Sequence, residues 1–110
     1  MSGRLTTHVS RGPAHTVVAV AGDCDLAGRE ELTATLLAAV ADARIVTVDL
    51  SDVEFLDSSG IHALVTAHHA AVQATRRLYA TGATGVVAQV LELTGVAELL
   101  APPASAGADS

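Results

Sequence analysis

Ile45-Val-Thr-Val-Asp-Leu50-Ser-Asp-Val-Glu-Phe55-Leu-Asp57-Ser58-Ser59-Gly60-Ile61-His62 is the stretch that orders the rest of the chain. Residues 45–50 are a β-branched apolar run, the pattern of a buried strand. Residues 51–54 read as a polar turn, with Val53, Phe55 and Leu56 expected to pin it to the core. Asp57, Ser58 and Ser59 can each cap a helix, and an apolar pattern of period near 3.6 follows them. A strand thus delivers two hydroxyls to the mouth of a helix, at an edge of the domain that a partner can reach.

Upstream, residues 4–10 alternate weakly, as an edge strand does, and Arg11-Gly12-Pro13 signals a turn. Residues 15–21, with Val17, Val18 and Val20, predict a second strand and hairpin partner, broken by Gly22-Asp23-Cys24-Asp25. Over residues 29–41 the positions Leu32, Leu36, Leu37 and Val40 form one helical stripe. Glu30 and Glu31 stand in its first turn, where the helix dipole favours negative charge.

Downstream, the helix after Ser58 has three faces at 100° per residue. Ile61, Leu64, Val65, His68 and Val72 are assigned to the core, and His62, Thr66, His69 and Gln73 to a polar flank. Ala63, Ala67, Ala70 and Ala74 leave a smooth third face, which either meets something flat or reflects alanine's helix propensity. Residues 76–81 predict a fourth strand ended by Gly82. Thr84 is the expected N-cap of a third helix, with Val87, Val90 and Leu91 inward and Gly95 past its end. Val96, Leu99 and Leu100 add a short last apolar element. The order implies right-handed crossovers into parallel strands beside an antiparallel pair. The expected fold is α/β: a small mixed sheet of four to five strands with helices packed on one face. Residues 1–100 form the domain and residues 101–110 a disordered tail.

Composition narrows the function. The chain has 110 residues, enough for one core. Only Phe55 and Tyr79 are aromatic, so Val, Leu, Ile and Ala must build that core. A net charge of −6 with scattered arginines argues against a nucleic-acid surface. One cysteine excludes an internal disulfide and disfavours a thiolate zinc site. No apolar run reaches membrane-span length and no signal-peptide pattern opens the chain, so a cytoplasmic location is expected, without membrane contact.

Asp57-Ser58-Ser59-Gly60 admits three readings. Asp57 or Ser58 caps the helix, which spacing alone favours. A serine acts as nucleophile with His62 or His68, but the Gly-x-Ser-x-Gly elbow is absent. Or an exposed serine carries a regulatory phosphate, which the free amides and dipole of a helix start accommodate. His62, His68 and His69 lack the i, i+4 spacing of a helical zinc site, so no metal is expected. His68 reads as a hydrogen-bonded boundary residue. Cys24, flanked by Asp23 and Asp25, should be a poor thiolate and a small filler residue.

The run from Val48 through Asp57-Ser58-Ser59-Gly60-Ile61 resembles the signature of STAS domains, specifically the bacterial anti-sigma factor antagonists. Two segments agree in order and spacing: Val18-Ala-Val-Ala-Gly22-Asp-Cys-Asp25-Leu, and Val90-Leu-Glu-Leu-Thr-Gly95-Val-Ala-Glu-Leu. The resemblance covers roughly residues 4–100. It implies a non-enzymatic switch. Unphosphorylated, the protein binds an anti-sigma factor that is also a serine kinase, and sigma factor is released. Phosphorylation of Ser58, with Ser59 the lesser candidate, ends that binding until a phosphatase acting on phosphoserine restores it.

By the same resemblance Asp57 orients Ser58, and Gly60 allows close approach. The partner surface comprises Asp23, Asp25, Asp57, Ser58, Ser59, Gly60, His62 and Ala63. ATP belongs to the partner kinase, so the chain itself needs no cofactor, and it is expected as a monomer or weak dimer. Cys24 and His62 depart from the family pattern. The alternatives are an accessory subunit of a lipid-transport ATPase and a stressosome-like scaffold.

Overall fold

The computed structural model describes residues 4–103. Along the chain run β1 (Thr6–Arg11), β2 (His15–Cys24), a one-turn 3₁₀ helix (Leu26–Gly28), α1 (Arg29–Asp42) and β3 (Ile45–Leu56). They are followed by α2 (Ser58–Gln73), β4 (Arg77–Thr81), α3 (Gly85–Leu93) and α4 (Val96–Leu99). The strands lie in the order β1-β2-β3-β4, with β1 antiparallel to β2 and the rest parallel. This is the mixed sheet that the element order predicts, with four strands.

Alternation of side chains fixes which face is covered. Val18 and Val20 of β2, Val46, Val48 and Leu50 of β3 and Leu78 of β4 are buried, while their neighbours in the strands are partly exposed. Leu32, Leu36, Ala39 and Val40 of α1, with Val87 and Leu91 of α3, join the same core. All four helices therefore pack on one face. Leu37, expected on the α1 stripe, is 36% exposed, and Ala39 takes its place inward.

β3 does not stop at Leu50. The predicted polar turn at 51–54 is the second half of a twelve-residue strand, and β2 likewise runs through Gly22-Asp23 to Cys24. Pairing explains the misreading. Ala19 pairs with Asp49 but Ala21 with Asp52, and Gly22 pairs with Val53 but Asp23 with Phe55. β3 thus carries two extra residues, and each bulge resets the alternation. Burial falls on Val46, Val48 and Leu50, then steps by three to Val53 and Leu56. Phe55, expected to pin the turn, is consequently 46% exposed. Gly22, at the second shift, has φ 89, a conformation that glycine adopts without strain.

α2 is rotated relative to the expected core face. Gly60, Ala63, Leu64, Ala67 and Ala71 are its buried residues, whereas Val72 is 49% exposed. Of the face that sequence left smooth, Ala63 and Ala67 pack inward and Ala74 is exposed, so the buried side of α2 lies between the expected core face and the alanine face. His68 is half-buried with its Nδ1 unpartnered, not hydrogen-bonded as expected. Burial first, then His69 and Arg77, holds its pKa below the ordinary imidazole value.

Arg76 precedes β4 and closes α1 instead, donating from Nη1 to the carbonyls of Val40 and Ala43. Thr84 is the N-cap of α3, although its hydroxyl makes no capping bond. Of the expected tail, residues 101–103 have no regular structure and residues 104–110 lie outside the described residues.

Candidate functional site at the junction of β3 and α2

β2 and β3 run parallel and end side by side, and their C-terminal ends bring Cys24 beside Leu56. The amide of Asp57 donates to the Cys24 carbonyl over 3.2 Å, so the chain leaves β3 locked to the end of β2. Asp57 is extended and caps α2: its Oδ1 accepts from the amides of Ser59, at 2.8 Å, and Gly60, at 3.3 Å. Of the two capping candidates, the structure selects Asp57.

Gly60 is buried, and the close approach it allows is internal. A Cβ there would stand 2.5 Å from Leu56 Cδ1, 2.7 Å from the Cys24 carbonyl oxygen and 2.8 Å from Cys24 Cβ. Ala63, one turn on, is 0% exposed against the core. Neither offers surface to a partner, which corrects the expectation for both. Asp23 is also buried, at 8% exposure. It lines a recess of about 230 Å³ with Arg4, Asp25 and Glu31, not the surface beside Ser58.

What remains outward is compact. Ser58 is exposed as the first residue of α2, Ser59 and Asp57 are half-buried, and His62 is exposed one turn along. Asp25 is half-buried and its carboxylate accepts from the Ala27 amide, starting the 3₁₀ turn that touches α2. That turn holds Leu26 out at 68% exposure. Sequence reading missed Leu26 and the outward Phe55. The available signals were a leucine outside every stripe and the three-residue spacing of Leu50, Val53 and Leu56.

Cys24 lies beneath this surface. Burial first, then Asp25, Asp23 and Asp57, pushes its thiol up from 9.0 to about 11. It is a protonated packing residue at neutral pH, as its neighbours in the sequence suggest.

Chemically, the site presents one accessible hydroxyl on a backbone that is fixed from behind. The Ser58 hydroxyl makes no hydrogen bond to a histidine among the described residues. Two of the amides that a helix start leaves free for an anion, those of Ser59 and Gly60, are taken here by Asp57. Among the described residues no group of three or more His, Cys, Asp or Glu is placed to hold a metal ion, and no helix is long and apolar enough to cross a membrane.

Against known proteins, the family described as "Mlab, STAS domain" matches residues 7–101. An anti-sigma factor antagonist from Mycobacterium paratuberculosis has a similar structure, with a TM-score of 0.80 at 26% identity, over 91% of this chain and 87% of that one. The anti-sigma factor antagonist SpoIIAA in its unphosphorylated form gives a TM-score of 0.75 at 16% identity, over 84% of each chain. A sulfate transporter family protein from Wolinella succinogenes gives 0.69 at 17% identity, over 81% and 73%. These last two are likenesses of fold. No curated protein matches the sequence.

Proposed function

Because the chain belongs to the STAS domain family, we propose that it is an anti-sigma factor antagonist switched by phosphorylation of Ser58. Unphosphorylated, it binds a serine-kinase anti-sigma factor in the cytoplasm and so frees a sigma factor. A phosphatase reverses the modification. ATP is the partner's ligand, and this chain is a regulator without turnover of its own.

The observation that carries the reading is the exposed Ser58 hydroxyl on a rigid, capped helix start. The likeness to the M. paratuberculosis antagonist supports the class of partner. A flat partner packed over Ser58, Ser59 and His62 contacts a surface that the Gly60–Cys24 packing holds still. A phosphoryl group adds nearly two negative charges there, beside Asp57 and Asp25. Buried and unpaired at an interface, it costs far more than the roughly 1.4 kcal/mol of a tenfold loss in affinity.

The test is incubation with a candidate kinase of this class and Mg-ATP, followed by mass spectrometry to place the phosphate and a binding assay before and after. Phosphate on Ser58 with loss of binding is the expected result. Ser58→Ala should bind and Ser58→Asp should not. Tight binding by the Asp variant contradicts the switch.

A second reading, an accessory subunit of a lipid-transport ATPase, draws on the family description and on the likeness to a sulfate transporter family protein. Co-purification with a transport ATPase, and no phosphate from any kinase of the class, would favour it.

A further inference from the structure

We propose that Arg29 and His62 form a binding site for the phosphoryl group of a modified Ser58, an inference that rests on the phosphoserine reading above. Ser58 and His62 are four residues apart on α2 and both exposed, so their side chains are neighbours on one helix face. Arg29, the first residue of α1, lines with His62 the groove between the two helices, together with Glu30 and Leu37. A phosphoryl group on Ser58 is therefore one helical turn from His62 and from the groove that His62 and Arg29 line, two side chains able to donate to it.

Both donors are free. Arg11 is paired with Asp42, and Arg76 and Arg77 are bonded to carbonyls. Arg29 and His62 make no side-chain hydrogen bond or ion pair among the described residues. The competing anion site at the helix start is reduced, since Asp57 takes the Ser59 and Gly60 amides. Side chains offer the phosphoryl group further donors: a guanidinium gives charge-assisted bonds, and an imidazole N–H adds another. Such a clamp holds the group against the α1–α2 surface, where it blocks a docked partner from a fixed position.

Electrostatics makes the test one of sign. The charged groups around the site are Arg29 and Glu30 from α1, Asp25 at the 3₁₀ turn, and Asp57 on the cap. Without the clamp, the carboxylates oppose the second ionisation of the phosphate and push its midpoint up. With the clamp, the two donors stabilise the dianion and pull it down.

Phosphoserine installed directly at position 58 by codon suppression, followed by ³¹P NMR across pH, reads that midpoint. The reference is a phosphopeptide of residues 54–61, which keeps Asp57 but lacks Arg29 and His62. The whole protein should titrate about half a pH unit lower, roughly a threefold larger ionisation constant. Arg29→Gln and His62→Gln should each lose part of the shift, the double variant should titrate above the peptide, and Arg29→Lys should retain most of it. Thermal unfolding of the unmodified variants separates a lost clamp from a lost fold. A whole-protein midpoint at or above the peptide's, or a double variant that titrates like the parent, overturns the proposal. Because the phosphoserine is installed without a kinase, a failed kinase reaction counts against the switch and not against the clamp.

Discussion

The two sides of α2 share a backbone and little else. Inward, Gly60, Ala63, Ala67 and Ala71 form a small-residue seam, with Leu64 beside it, and the three alanines are 0% exposed. Outward stand Ser58, His62, His69 and Val72, all exposed. The seam sets where the helix lies, because small side chains let its backbone approach the end of β2 and α1. The outward side is then free to vary and to carry chemistry. A switch residue benefits from this arrangement, since modification changes the surface while the seam keeps the fold.

The largest effect that would sharpen the contrast is at the seam's first residue. Gly60→Val puts branched carbon where even a Cβ is 2.7 Å from the Cys24 carbonyl oxygen, a backbone atom. The helix-propensity gain over glycine is well under 1 kcal/mol, and overpacking costs about 3 kcal/mol or more. Urea unfolding should show that loss, and a variant as stable as the parent would break the account of the seam.

Cys24, which Gly60 packs upon, gives the next effect through pH. The unfolded thiol ionises near 9.0 and the native one near 11, so between those values the native state holds the extra proton. Stability is fully retained below pH 9.0 and falls as pH rises toward about 11. At about 1.4 kcal/mol per pH unit the loss is on the order of 2 to 3 kcal/mol. Unfolding free energies measured from pH 8 to 11 should show a drop that Cys24→Ala lacks.

Asp57 joins the two sides, and Asp57→Ala should cost about 1 kcal/mol of stability by freeing the amides of Ser59 and Gly60. The outward side should respond least. Ser58→Ala and Val72→Ser should each stay within about 0.5 kcal/mol of the parent in thermal or urea unfolding, while Ser58→Asp alters partner binding. A large loss from either outward substitution would erase the distinction between seam and surface.

Much of this was readable in the residues. The strand and helix order, the acidic first turn of α1, a cap at Asp57 or Ser58 and the hydroxyls at the helix mouth all follow from local chemistry. The misreadings have two origins: the bulges of β3 turn Phe55 outward, and close packing of small residues sets the inward side of α2. Sequence hydrophobicity ranks Val72 and Phe55 as core residues and alanine as neutral, yet Val72 and Phe55 face out and Ala63 and Ala67 face in. Hydropathy predicts which side chains prefer burial. It says nothing of how near two backbones come, and at a close contact volume outranks hydrophobicity.

The sequence by itself determined the α/β class and the position of the serine pair at a helix start, because period, capping and turn chemistry act over a few residues. The tertiary structure alone decided that β3 continues to Leu56, that Asp23, Gly60 and Ala63 are interior, and that Arg29 shares a groove with His62. Each depends on pairing or packing between segments far apart in the chain, where β2 sets the bulges of β3 and the end of β2 sets the depth of α2.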